Sequence, residues 1–140
     1  QKRDILANFN NGYYSEFNNE NELFIKESEL IKEVASKESC VIIGRCADNI
    51  LKDEKNIIKV FAYSAMKDKI NRAVKYYNMD AKKAEKEIAR IDKLRANHYK
   101  YYTGKNWKDL SNYDICINSD SIGIENVVDL IINFKENNKI

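Results

Sequence analysis

Five arginines stand among nineteen lysines, and four of the five occupy positions where a guanidinium could meet an anion. A guanidinium is planar, permanently charged, and carries paired N–H groups that match a phosphate or carboxylate. The stretch "CVIIGRCAD", Cys40 to Asp48, is apolar up to Gly44 and then charged at once. Gly44 permits a sharp turn, so Arg45 stands where a buried run meets the surface. From the residues alone, Arg45 could grip an anion bidentately or pair with Asp48 or Asp53. Arg72 follows Asp68 by four residues, the spacing of a helical ion pair. Arg95 and His98 continue a stripe begun by Ala84, Ile88 and Ile91 and ended by Tyr102, in 4-3-4-3-4 spacing. A charge on such a face must be paired, reach out to water, or face a ligand. Arg90 belongs to a neighbouring basic row with Lys86 and Lys93, and Glu87 and Asp92 offer partners on the same helix.

Other chemistry finds less support. His98 is the sole histidine and has no serine or cysteine at a motif spacing, so neither a nucleophilic triad nor a metal site is indicated. Cys40, Cys46 and Cys116 are odd in number and lack Cys-x-x-Cys spacing, which argues against a disulfide framework or zinc. Asp48, Asp53 and Asp92 form no convincing acid–base pair. The four glycines, at 44, 104, 123 and 12, fit neither G-x-x-x-x-G-K-[ST] nor G-x-G-x-x-G within these 140 residues. The "YKYYTGKNW" cluster could stack nucleic-acid bases; aromatic packing over a helix end is the plainer use.

The elements that must position these residues follow from periodicity. Residues 1–21 read as irregular, with a short helix over "KRDILANF". Phe24, Leu30, Ile31, Val34 and Ala35 recur at helical spacing and predict a helix over 20–37. "CVIIG" reads as a buried strand, "NILKDEKN" as a connection with a helical turn, and "IIKVFAYS", 57–64, as a second strand. Ser64 is placed to cap a helix whose stripe is Met66, Ile70, Ala73 or Val74, and Tyr77. Asp80 is placed to cap a longer helix to about Tyr102, and Gly104 to turn the chain. "YDICINS", 113–119, reads as a third strand, and Ile124 to Ile132 as a closing helix before a fraying tail. Apolar strands alternating with helices predict an α/β domain, a parallel sheet covered on both faces, with ligands beyond the carboxyl ends of the strands. Those ends are Gly44–Arg45, Tyr63–Ser64 and Ser119 to Ser121.

The totals bound the function. The length suits one domain, and a third of the residues are charged while the net charge is only +2. That balance argues against a protein that blankets nucleic-acid phosphates. No apolar run approaches the roughly 20 residues of a membrane span, and none resembles a secretory leader. A cytoplasmic protein without a membrane partner is expected.

From about Phe24 to Phe134 the chain resembles the cytidylate-kinase-like branch of the P-loop nucleoside monophosphate kinases. "CVIIGRCADNIL", "IIKVFAYSAMKDKINRAVKYY", "RIDKLRANHYKYYTGKNW" and "YDICINSDSIGIENVVDLI" carry the likeness in their order and spacing. The resemblance implies a three-layer P-loop NTPase-like parallel sheet with a helical lid at about 78–108, residues 1–140 forming part of one such domain. The first strand–P-loop–helix unit of that family is not found in these residues. It further implies transfer of the ATP γ-phosphoryl group, with Mg²⁺, to a nucleoside monophosphate of cytidine type. Gly44, Arg45, Asp48 and Arg72 would then bind the acceptor, Arg90 and Arg95 would close over the transferring phosphates, and Ser119, Asp120 and Ser121 would lie beside the donor nucleotide. Cytidylate kinases carry aspartate after that first arginine, where this chain has Cys46. Two other classes remain: a non-catalytic nucleotide-binding or regulatory module on the same fold, and a nucleic-acid binder using the basic, tyrosine-rich helix.

Overall fold

The computed structural model describes residues 17–138. The expected short helix over 2–9 lies outside them. The chain divides into two compact units, residues 1–43 and 44–140.

In the first unit, α1 (Phe17–Lys37) is the expected amphipathic helix. Ile31 is buried and Phe24, Val34 and Ala35 are half-buried, as a 3.6-residue stripe requires, while Leu30 lies exposed. The run that follows is not the strand its composition predicts: residues 39–43 carry no strand assignment, and Val41 and Ile43 are 92% and 76% exposed. The reason is ladder chemistry. A strand exists only where a neighbour takes its N–H and C=O groups, and the two paired strands among the described residues bond to each other alone.

The second unit contains α2 (Ala47–Ile50), β1 (Val60–Tyr63), α3 (Met66–Tyr77), α4 (Ala81–Thr103), a 3₁₀ turn (Leu110–Asn112), β2 (Ile115–Asn118), α5 (Ser119–Ile122) and α6 (Ile124–Asn137). This is an α/β fold around a small parallel sheet, with Val60 opposite Ile115 and Tyr63 opposite Asn118. Among the described residues the sheet has two strands rather than the three expected. Both are shorter than the apolar runs predict, because Asp114 closes the entrance to the ladder. Its carboxylate accepts from Lys59 N at 2.7 Å, and its own N–H donates to Lys59 O at 2.8 Å. Phe61 on β1 stacks on Tyr113 at 4.8 Å between ring centroids and meets Trp107 edge-on at 5.6 Å. Of the "YKYYTGKNW" cluster, Trp107 packs over β1 and Tyr99 is buried, whereas Tyr101 is exposed and stands edge-on to Tyr102.

Helices α3 and α4 fold back on each other. Lys69 and Asp92 are 23 residues apart yet 2.6 Å from nitrogen to oxygen, whereas a continuous helix would separate them by about 35 Å. The reversal is made by Asn78 in the left-handed conformation, φ 50°, and by Asp80, whose carboxylate accepts from Lys82 N at 2.8 Å. Asp80 is the cap the sequence predicts. Ser64 is not: the cap position belongs to Ala65. Ala73 and Ala84 are buried, with Met66 and Ile70 half-buried, but Tyr77 is 77% exposed and lies off the stripe. Gly104 ends α4 at φ 71°.

Candidate functional site

The parallel register sets the carboxyl ends of β1 and β2 level, at Tyr63 and Asn118. Polar side chains then organise the backbone beyond them. Ser119 Oγ donates to Tyr63 O at 3.3 Å, which ties the two strand ends. Asn118 Oδ1 accepts from the backbone N–H groups of Asp120 at 3.3 Å and Ser121 at 3.4 Å, and so fixes the first turn of α5. Asp120 thereby faces α3, where its Oδ1 accepts a charge-assisted bond from Arg72 Nη1. The Ser64 hydroxyl and the Arg72 guanidinium hold the Asp120 carboxyl below the usual carboxylate range. Asp68, Asn71, Arg72, Lys75, Tyr76 and Asp120 line a recess of about 180 Å³ beside this pair. The helical pairing of Arg72 with Asp68 is not what forms. Asp68 lines the same recess, while the guanidinium crosses to the strand-end loop.

A second feature is the turn Gly44–Arg45–Cys46. All three residues have positive φ: 72°, 57° and 55°. For the two L-residues this conformation costs on the order of 1 kcal/mol each, and such strain persists where surrounding structure requires it. Cys46, 4% exposed, and Ala47 anchor the turn in the interior, while Arg45 is half-buried. Cys46 serves here as a small buried apolar residue. A methyl group at Gly44 would touch nothing within 4 Å, so Gly44→Ala should cost only backbone strain. A loss of about 1 kcal/mol is expected, read as a lower urea midpoint with an unchanged slope.

Asp48, next on α2, is held from α4. Tyr99 Oη donates to its Oδ2 at 2.6 Å, and Tyr99 is 4% exposed. Burial and this bond push the Tyr99 hydroxyl's ionisation upward. Burial, with the Asp48 charge, raises Tyr113 to about 12. Arg90 and Arg95 point off the buried side of α4. Arg90 engages Glu87 with two bonds, 2.9 and 2.6 Å, and Arg95 meets Asp92 at 3.1 Å. Their side chains are 57% and 61% exposed, so Arg95 leaves the apolar stripe for water. Asp92 is the better buried partner and also takes Lys69.

The predicted site residues thus fall into three groups: Arg72 with Asp120 and the serines at the strand ends, Gly44 and Arg45 in the strained turn with Asp48 on the following helix, and Arg90 with Arg95 on the exposed side of α4. The sequence offered Glu87 and Asp92 as partners for the α4 arginines, and both pairs form; it gave no sign of Tyr99 as the residue that holds Asp48, or of Lys69 as the second partner of Asp92. Tyr99 lies eleven residues after Ile88, on the same face of α4, and that helical spacing was the signal for its burial; the Lys69–Asp92 bridge depends on how the hairpin closes.

Residues 2–121 match the Cytidylate kinase-like family. A crystal structure of an uncharacterized protein from Eubacterium ventriosum is similar, with 31% identity and a TM-score of 0.79. The similarity covers 83% of this chain and 66% of that one, so the chain spans just under two thirds of that protein's length. No curated protein matches. The turn, the α3–α4 hairpin and the strand-end loop all lie inside the matched segment, and this chain belongs to the cytidylate kinase-like family.

Proposed function

We propose that this chain provides the acceptor-binding and lid portions of a nucleoside monophosphate kinase-like protein on a P-loop NTPase type of fold. The reaction would carry the γ-phosphoryl group of ATP to a nucleoside monophosphate of cytidine type. The observation that carries this reading is the position of four arginines within the family match, one in the strained turn, one on α3 against the strand ends, and two on α4. Phosphoryl transfer asks a protein for positioning and charge neutralisation rather than covalent chemistry, and guanidinium groups supply both.

On this reading Arg45 grips the acceptor phosphate, and Arg72 meets nucleotide phosphate beside Ser119, Asp120 and Ser121. Residues 78–108 act as the lid. Arg90 and Arg95 are themselves exposed and pair with Glu87 and Asp92 three residues away, Asp92 being the better buried and shared with Lys69; ion pairs made by exposed guanidiniums are weak. A phosphate brought against α4 can draw both guanidiniums from Glu87 and Asp92 and exclude water from the reacting groups. The activity also implies Mg²⁺. Among the described residues no three His, Cys, Asp or Glu side chains converge on a metal position, and Asp120, the carboxylate at the strand ends, is engaged by Arg72. These residues do not build a Mg²⁺ site, and no step above runs through the ion.

A non-catalytic nucleotide-binding or regulatory module on the same fold is the second reading, favoured by the pairing of Arg72, Arg90 and Arg95 with carboxylates of the chain itself. One experiment separates the two. The full chain is incubated with ATP, Mg²⁺ and cytidine monophosphate, and the products are resolved by chromatography alongside a calorimetric titration. Cytidine diphosphate with equimolar ADP supports the kinase. Binding without turnover supports the module, and neither binding nor turnover removes both.

A further inference from the structure

The strand-end recess pairs a cation expected to meet phosphate with a carboxylate, an arrangement that by charge alone would weaken the site. Arg72 and Asp120 come from segments 48 residues apart. Both are largely withdrawn from water, their side chains 31% and 22% exposed. A carboxylate beside an anion-binding position raises the local negative potential and opposes the ligand. The local structure nonetheless commits to that carboxylate. Asn118 accepts from the Asp120 N–H at 3.3 Å and sets the start of α5. Asp120 Oδ1 accepts from the guanidinium, while Oδ2 is buried without a hydrogen-bond partner. A buried acceptor left unpaired carries a stability cost.

We infer that Asp120 is a positioning residue: it does not itself meet the nucleotide but holds the Arg72 guanidinium in one orientation at the strand ends, so that its remaining N–H donors face the ligand in the recess. A guanidinium has five donors. The bond to Asp120 is made by Nη1, and the Nη2 and Nε side of the fork is what a phosphate oxygen pair can use. A free arginine on a helix surface samples many rotamers, and freezing it on binding costs affinity. Asp120 removes that cost in advance.

This inference rests on the proposed nucleotide-binding reading and deepens it at one site. Its test exploits a difference in sign. If Asp120 acts only through its charge, Asp120→Asn removes a repulsive carboxylate and nucleotide binds more tightly. If it positions Arg72, the same substitution weakens binding by about tenfold, the factor that corresponds to about 1.4 kcal/mol. Calorimetric titrations with ATP and with cytidine monophosphate are run on the wild-type full chain, Asp120→Asn, Arg72→Ala and the double variant, each checked for an unchanged circular dichroism spectrum. Asp120→Glu, which keeps the charge and shifts its reach, covers the case in which the asparagine variant fails to fold, and it too should bind more weakly.

Positioning predicts that Asp120→Asn weakens at least one nucleotide in the wild-type background and is neutral or favourable in the Arg72→Ala background. A general structural role would weaken binding equally in both backgrounds and would overturn the inference, as would tighter or unchanged binding by Asp120→Asn. If Arg72→Ala weakens binding while Asp120→Asn does not, positioning fails and the nucleotide reading stands. If the wild-type chain binds neither nucleotide, both fall.

Discussion

Arg45→Ala is expected to weaken cytidine monophosphate binding on the order of 100-fold, or about 2.7 kcal/mol, while leaving the fold's stability nearly unchanged. The size follows from the bond type. Hydrogen bonds to charged groups contribute about 1.5–3 kcal/mol, and a bidentate guanidinium–phosphate contact adds geometric selectivity. The separation of binding from stability follows from the turn. Arg45 and Cys46 lie at φ 57° and 55°, and alanine at position 45 keeps the same backbone strain as arginine. It is Cys46, 4% exposed, that anchors the segment in the interior. Arg45→Lys should fall closer to alanine than to wild type, because an ammonium lacks the planar fork. Calorimetric titration measures the first effect and urea denaturation the second. An Arg45→Ala chain that binds the monophosphate as tightly as wild type would remove Arg45 from the site.

Tyr99→Phe is expected to lower stability by about 2 kcal/mol. Tyr99 Oη donates to Asp48 Oδ2 at 2.6 Å from a position only 4% exposed. The substitution leaves that half-buried carboxylate oxygen without its donor, and bonds to charged groups fall at the upper end of the range. Asp48→Asn should cost less, since the amide oxygen still accepts from Tyr99. The same cluster sets an alkaline limit. Ordinary tyrosine ionises near pH 10, whereas burial and the Asp48 charge raise Tyr113 to about 12 in the folded chain. Tyr99 shifts in the same direction, by burial first and then by its bond to Asp48. A raised folded value means that the unfolded chain loses its protons first. The contribution is therefore complete below about pH 10 and declines as pH rises toward 12 and beyond. Urea midpoints measured across that window should fall, and Tyr99→Phe should show a shallower decline. A midpoint that stays flat for wild type would contradict the assignment.

How much of this was legible in the sequence depends on the range over which each feature is decided. The α3–α4 hairpin was readable because local signals agree: Asp80 caps, Gly104 stops, and the intervening periodicity is helical. That Tyr63–Ser64 and Ser119 to Ser121 gather at the carboxyl ends of two parallel strands was readable from the alternation of apolar runs with helices. "CVIIG" was misread because composition reports what a strand would bury, whereas a strand also needs a neighbour for its backbone, and Val41 and Ile43 have none among the described residues. The expected cap at Ser64 is off by a single position, since α3 begins at Met66 and its cap position falls on Ala65. Arg72 was assigned to Asp68 because helical spacing is visible in sequence. Its actual partner, Asp120, comes alongside only through the parallel register of β1 and β2 and the turn that Asn118 caps. Arg95's pairing was legible, because helical spacing offers Asp92 three residues earlier and the structure forms that bond.

The central claim is that nucleotide engages the strand ends and α4 together. Hydrogen–deuterium exchange of the full chain, with and without cytidine monophosphate and ATP, tests it most directly. The account predicts slower exchange across Ala81–Thr103 and at Gly44–Ala47 and Ser119–Ile122, with α1 unaffected. Exchange that is unchanged in all three segments at saturating nucleotide would contradict it.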